Sequence, residues 1–255
     1  MRHDDEYTRN EQDFDKLEPE MISERSPFIK WLDNYWYHYK WPTIIISFFA
    51  VLAIMLTVQM INRPEYDETF LYACTYRMNV EEYQDYEQLL ERILPDDYDG
   101  NGEKSINIMS YQIYSEEEFY EASSIAEANS DSFSLNGKYN TDEFHNFSQY
   151  SMTGECSVYL ISEYLFNQLR SAERLRPIAE LYEGQALPAG VTEDGFGIRI
   201  STTDFYNYNP AAQILPDDMI LCLLRPTVWG GSSNDVRYER SVAFFHAIAD
   251  YRIKN

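Results

Sequence analysis

The sequence predicts a single transmembrane helix followed by an α/β unit in which a mixed or mostly parallel sheet is flanked by helices. Three observations predict this fold class. Residues 43–61 contain no charged residue. After them, short apolar segments alternate with segments of helical periodicity, which is the pattern of βαβ units. The apolar segments, such as MILCLL at 219–224, are nearly continuous, as in strands that are buried on both faces.

The uncharged run has the length of a membrane-spanning helix. As an α-helix it would span about 28 Å, close to the ~30 Å hydrocarbon core of a bilayer. Trp and Tyr are concentrated directly before it, at residues 31–41, and such amphipathic rings suit the headgroup region. A buried core helix is the alternative, but it would not require so long an uncharged run beside an aromatic belt. A cleaved signal peptide is disfavoured, because the run begins far into the chain and no A-x-A site follows.

The charges that flank the run set its predicted orientation. Arg25, Lys30 and Lys40 precede it, whereas Arg63 and Arg77 follow it. Positive charge is retained on the cytoplasmic side, and long domains cross the membrane regardless of their charge. We therefore predict a single-pass cell-membrane protein with a cytoplasmic N-terminus and an extracytoplasmic C-terminal domain.

These boundaries divide the chain into four parts. Residues 1–28 are rich in charge and poor in aliphatic side chains, so we expect a disordered cytoplasmic tail. Residues 29–62 form the aromatic belt and the transmembrane helix, which contacts the lipid bilayer through residues 43–61. Residues 63–68 are a linker, and residues 69–255 form the extracytoplasmic α/β domain.

The composition limits the partners and the chemistry of the chain. A formal net charge of −23 argues against nucleic acid as a partner, because phosphate contacts need clustered Lys and Arg. Each of the three cysteines lies in an apolar run, which predicts buried free thiols rather than a disulfide framework. The four histidines have none of the spacings that form a zinc site.

Local patterns place the elements of the domain. The segment TFLYACTYRM at 69–78 is a predicted strand, and the segment after it has helical spacing. Ser115 and Glu118 form an S-x-x-E capping box, which predicts that a helix begins there. Thr141 is expected to cap a further helix, and Ser162 is expected to end the third strand and to cap the helix that follows.

The order of these elements resembles that of type II periplasmic solute-binding domains over about residues 69–255. The matching segments are GECSVYLISEYLFNQL, RPIAELYE and GIRISTTDF. In that family a G-D-x-D-V strand precedes a helix, whereas here Glu155 remains and Ser157 replaces the second acid. The resemblance implies the α/β fold and a solute-binding function, and it assigns no individual ligand residue to this chain.

The segment DYDGNGE at 97–103 matches the first half of a calcium loop, in which carboxylate and amide oxygens converge around a sharp Gly turn. Ile108 rather than Glu stands at the twelfth position, and a strand is expected to follow, so the segment is not an EF-hand. Calcium binding and an ordinary turn rich in Asp and Gly both fit the pattern. The predicted metal ligands are Asp97, Asp99, Asn101, Glu103 and Ser105.

A ligand site is expected at the carboxyl ends of the first and third strands, where ligands gather in open α/β sheets. Arg77 follows the first strand, and its five donors suit a carboxylate. The alternative is that Arg77 pairs with a nearby acid on the surface. The predicted ligand-binding residues are Tyr76, Arg77, Ser162 and Glu163.

The sequence carries no catalytic signature. It has no G-x-S-x-G nucleophile elbow, and G-F-G at 195–197 lacks the third Gly of a phosphate loop. We therefore predict that the chain is not an enzyme but a membrane-tethered extracytoplasmic binding module for a small solute or an envelope component. The alternative is a non-catalytic structural or assembly protein of the cell envelope that uses the same fold without a ligand.

Overall fold

The computed structural model describes residues 26–61, 66–128, 136–226 and 232–252. The chain divides into two compact units, Met1–Pro64 and Glu65–Asn255. Residues 1–25 of the predicted tail and residues 63–65 of the predicted linker lie outside the described residues.

In the first unit, the described residues form a long helix, α1, at Pro27–Ile61. Over Pro27–Gln59 this helix is long and apolar enough to cross a membrane, which agrees with the predicted membrane helix; by the same test it also fits a signal sequence. Four aromatic side chains three or four positions apart form one row along α1, since residues at these spacings share a helix face. Their ring centroids are 6.1, 5.7 and 5.4 Å apart along the series Phe28, Trp31, Tyr35 and Tyr39.

The second unit contains one five-stranded sheet with the strand order β2-β1-β3-β5-β4. β1 pairs in parallel with both β2 and β3, whereas β5 is antiparallel to both β3 and β4. The α/β class is confirmed, and the sheet is mixed. The strands are β1 at Glu68–Cys74, β2 at Ile106–Gln112, β3 at Val158–Ile161, β4 at Gly197–Arg199 and β5 at Ile220–Leu223.

Helices cover both faces of this sheet. One face packs against Tyr86, Phe205 and Phe244, and the other packs against Phe147 and Phe166. The central strands are therefore buried on both sides, as their continuous apolar sequences predict. The helices are α2 at Val80–Ile93, α3 at Glu116–Ala128, α4 at Gly137–Thr153, α5 at Glu163–Ser171, α6 at Ile178–Leu181, α7 at Asp204–Tyr208 and α8 at Ser232–Ala249, with a 3₁₀ turn at Ile200–Thr202.

Side-chain caps explain where two of these helices begin. The Ser115 hydroxyl accepts from the Glu118 N–H (3.2 Å), and the Glu118 carboxylate accepts from the Ser115 N–H (2.7 Å), so the predicted capping box is confirmed. Asn79 and Glu82 form a second box at the start of α2, with distances of 3.0 and 2.8 Å. These contacts satisfy N–H groups that a helix start leaves without partners.

The predicted cap at Thr141 is wrong. Helix α4 begins four residues earlier, at Gly137, and the Asn136 side chain accepts from the Lys138 N–H at 3.0 Å. The Thr141 hydroxyl lies inside the helix and donates to the Gly137 carbonyl at 3.0 Å. Asn is as good an N-cap as Thr, so the polar stretch contains two competing start signals.

The three cysteines, Cys74, Cys156 and Cys222, are free and buried, as their apolar surroundings predict. Burial raises the pKa of the Cys74 thiol to about 11. A thiol that stays protonated at neutral pH is a poor nucleophile, so Cys74 acts as a packing residue.

Candidate functional site

The chain reverses its direction across the sheet at β1, because β2 lies on one side of β1 and β3 lies on the other. Helix α2 follows β1 and packs on one face, whereas α4 precedes β3 and packs on the opposite face. The carboxyl ends of β1 and β3 therefore form a topological switch point, which is where ligands bind in open α/β sheets.

A cavity of about 410 Å³ opens at the carboxyl ends of β1 and β2. Its volume lies within the range of small-molecule sites. Arg77 enters it from the segment after β1, and Gln112 enters it as the last residue of β2. The other lining residues are Met78, Asn79, Val80, Tyr83, Gln84, Glu87, Ser110 and Tyr139.

Arg77 is the one basic side chain among these lining residues. It is exposed and forms no ion pair with an acid in the described part of the chain. The one acid in the lining is Glu87, whose pKa is raised by partial burial and by the like charge of Glu91. The cavity thus presents an unpaired guanidinium and a carboxyl group whose charge is less favoured than usual.

Two walls of the cavity are held by hydrogen bonds. The Tyr83 hydroxyl donates to the Ile108 carbonyl at 3.2 Å. The Gln112 amide donates to the Thr75 carbonyl at 3.0 Å and to the Tyr114 hydroxyl at 2.8 Å. These side chains are therefore oriented before any ligand arrives.

The other predicted ligand residues are not part of this cavity. Ser162 lies beside β1, since its N–H donates to the Ala73 carbonyl at 3.0 Å, but its side chain is buried. Glu163 lies 3.7 Å from the Arg199 guanidinium, and the Tyr76 hydroxyl donates to Glu82 at 2.8 Å. None of these three residues lines the cavity that Arg77 enters.

The predicted Asp-rich loop forms the second candidate site. The carboxylate oxygens of Asp67, Asp97 and Asp99 lie within 4.8 Å of one another, which is close enough to hold a metal ion. Asp67 is buried, whereas Asp97 is partly exposed and Asp99 is exposed. We call these three residues the acidic trio.

Backbone N–H groups already bind the trio. One Asp67 oxygen accepts from the N–H groups of Tyr98 (2.6 Å) and Asp99 (3.0 Å), and the other accepts from the N–H of Ser105 (2.9 Å). The Asp97 carboxylate accepts from the N–H groups of Gly102 (2.7 Å) and Gly100 (2.8 Å). These donors favour the charged form and lower the pKa of Asp97. The loop is thus held by hydrogen bonds from its backbone N–H groups to the side chains of Asp67 and Asp97.

The remaining predicted metal ligands do not join the trio. The Asn101 amide donates to Asp99 at 2.7 Å, and its oxygen accepts from the Glu103 N–H at 2.8 Å. The Ser105 hydroxyl faces Asp67 at 3.5 Å. Of the five predicted ligands, only Asp97 and Asp99 contribute carboxylates to the trio.

Sequence reasoning missed Asp67, which lies thirty residues before the loop. The signal that identifies it is positional: Asp67 directly precedes β1, and Ser105 directly precedes β2. Parallel neighbouring strands begin at the same edge of a sheet, so these two residues meet, and the Asp67 N–H donates to the Ser105 carbonyl at 3.1 Å.

A comparison with known protein families, characterised proteins and solved structures finds no match to this chain.

Proposed function

We propose that the chain is a membrane-tethered, extracytoplasmic binding module that holds a small solute bearing an acidic group. The observation that carries this proposal is the unpaired Arg77 side chain in a cavity of about 410 Å³ beside the switch point of the sheet. The uncharged stretch of α1 and its row of aromatic rings support the tether. The resemblance to type II solute-binding domains is consistent with the same function and remains a prediction.

The chemistry of the cavity favours an acidic ligand. A guanidinium offers paired N–H donors that match the two oxygens of a carboxylate. No described acid pairs with Arg77, so a ligand carboxylate would not have to displace one. The fixed Tyr83 and Gln112 side chains reduce the conformational entropy that a ligand must offset.

The test is calorimetric titration of the full chain in detergent with a panel of small monocarboxylates. At least one should bind, and Arg77→Gln should weaken its binding by about 10- to 100-fold, because a charge-assisted hydrogen bond contributes ~1.5–3 kcal/mol. Arg92→Gln is the matched control, since Arg92 is an exposed arginine in the last turn of α2 outside the cavity. If no member of the panel binds, or if Arg92→Gln weakens binding equally, the alternative of a structural or assembly protein is favoured instead.

We also propose that the acidic trio binds calcium. Ca²⁺ prefers carboxylate and carbonyl oxygens in flexible arrangements, and three carboxylates converge here. Each carboxylate oxygen of Asp97 and Asp99 accepts one N–H and keeps a further lone pair for a cation. Calcium would then bind a loop whose ligands are already oriented.

Thermal unfolding of the full chain with calcium and with a chelator tests this second proposal. Calcium at one hundred times its Kd should add ~2.7 kcal/mol to the free energy of unfolding, and the double substitution Asp97→Ala, Asp99→Ala should abolish the increase. The matched control is Asp96→Ala, Glu103→Ala, which removes two acids of the same loop outside the trio. An identical calcium response in both double variants would show that the loop is only a turn.

A further inference from the structure

A second cavity, of about 320 Å³, is lined by residues from α3, α4 and the first turn of α5. Five aromatic side chains and one carboxylate dominate its surface, and none of its described lining residues is Lys or Arg. The six residues are Tyr114, Glu116, Phe119, Tyr120, Phe144 and Tyr164. We propose that this aromatic cavity binds an organic cation of the alkylammonium class, at a site separate from the Arg77 cavity.

The rings are arranged as the walls of a cation site. Tyr114 and Phe119 meet edge to face, with centroids 6.4 Å apart and an interplanar angle of 80°. Phe144 and Tyr164 form another wall, with centroids 6.4 Å apart and an angle of 38°. The rings are turned in different directions, and an ammonium group is attracted to a ring face within ~6 Å of the ring centroid. Tyr120 remains 66% exposed within the described part of the chain.

The charge around the cavity has the sign that an organic cation requires. Glu116 lines the cavity and forms no ion pair within the described part of the chain. Glu118, two residues further along α3, already accepts a hydrogen bond in the capping box. A cation is therefore attracted to the site before it contacts the rings.

The cavity is built before a ligand arrives. The Asn140 side-chain oxygen accepts from the Tyr114 N–H at 2.9 Å, and its amide donates to the Tyr114 carbonyl at 3.0 Å. This pair of bonds fixes α4 against the segment that follows β2. The Phe119 ring packs against the start of α4, at van der Waals distance from the Cβ position of residue 137. The walls from α3 and α4 are thus held together by contacts that a ligand does not have to form.

The test uses choline and its uncharged isostere 3,3-dimethylbutan-1-ol as probes, in calorimetric titrations of the full chain in detergent. Choline should bind, and the alcohol should bind at least tenfold more weakly, because only the charged probe gains cation–π and carboxylate attraction. Glu116→Gln and Tyr120→Leu should each weaken choline binding by about 3- to 30-fold, the range that corresponds to one such contact. Both side chains are exposed, so these variants should fold, and circular dichroism checks that they do.

Matched controls separate this site from other effects. Glu117→Gln removes the same charge from the neighbouring position of α3, and Tyr139→Leu removes an exposed tyrosine that lines the Arg77 cavity; neither should change choline binding. Arg77→Gln should also leave it unchanged, so failure here is distinct from failure of the proposed acidic-solute site. Equal binding of the two probes, absence of choline binding at millimolar concentrations, or equal losses in the Glu116 and Glu117 variants would each overturn the proposal.

Discussion

Among single residues, a fully buried tyrosine, Tyr86, and a half-buried one, Tyr206, differ in what their hydroxyl groups contact. Tyr86 is fully buried, with ring centroids 6.1 Å from Phe70 and 6.5 Å from Phe205. Its hydroxyl has no hydrogen-bond partner among the described residues, and burial raises its pKa well above the usual value. Tyr206, in contrast, donates to the Leu215 carbonyl at 3.2 Å. A buried donor without a partner costs ~1–3 kcal/mol.

We therefore predict that Tyr86→Phe raises the free energy of unfolding by ~1 kcal/mol, because it removes an unsatisfied hydroxyl and keeps the ring. Tyr206→Phe makes the same chemical change where a partner exists and should lower it by ~1 kcal/mol. Urea unfolding followed by near-UV circular dichroism measures both. A loss of stability in Tyr86→Phe similar to that in Tyr206→Phe would show that Tyr86 has a partner in solution.

At the scale of elements, the loop between α2 and β2 is held by one side chain from outside it. Asp67 binds three N–H groups of the loop, those of Tyr98, Asp99 and Ser105. Gly100 and Gly102 adopt positive φ values of 74° and 93°, which the tight turn around Asp97 requires. The conformation of the loop therefore depends on a residue at the start of β1.

Asp67→Ala should accelerate hydrogen exchange of the Tyr98, Asp99 and Ser105 amides and lower the free energy of unfolding by ~2–3 kcal/mol, since three N–H groups lose their acceptor. Both changes should also be measured in the presence of a chelator, because the hydrogen bonds to Asp67 do not depend on a metal ion. Asp96→Ala, which removes a single N–H contact in the same loop, should leave those three amides protected. Unchanged hydrogen exchange in Asp67→Ala would mean that the glycine turn holds the loop without the Asp67 carboxylate.

The elements that sequence patterns predict well are those with local signals. The Ser115–Glu118 box and the helical spacing after residue 79 each involve residues within one or two turns, and both are confirmed. The contribution of Asp67 to the acidic trio and the presence of Arg77, Gln112 and Tyr83 in the lining of one cavity were not predicted. These contacts arise from the register of β1 and β2, which a single sequence does not specify. The wrong prediction at Thr141 has a different cause. Asn136 and Thr141 are both good N-cap residues, and the helix begins after the earlier one, Asn136.

The orientation of the whole molecule in the membrane can be tested by cysteine labelling, because the three native cysteines are buried. With a cysteine introduced on the exposed face of α4 by Asn146→Cys, a membrane-impermeant maleimide should label intact cells. Ser23→Cys, in the N-terminal tail, should react only after the cells are permeabilised. The wild-type chain controls for background labelling. Labelling of Ser23→Cys but not of Asn146→Cys in intact cells would contradict the proposed orientation. Loss of the tail from the mature protein would identify α1 as a signal sequence.

The position of β3 in the sheet has a consequence for how the chain reaches its folded state. β3 lies between β1 and β5, and β5 follows the other four strands of this sheet along the chain. Until Ile220–Leu223 emerges, the entirely apolar β3 has one open edge, and such an edge is a template for aggregation. Pairing across long sequence separations is also slow. The sheet therefore cannot close until Ile220–Leu223 has been synthesised, and the open edge of β3 persists throughout that interval.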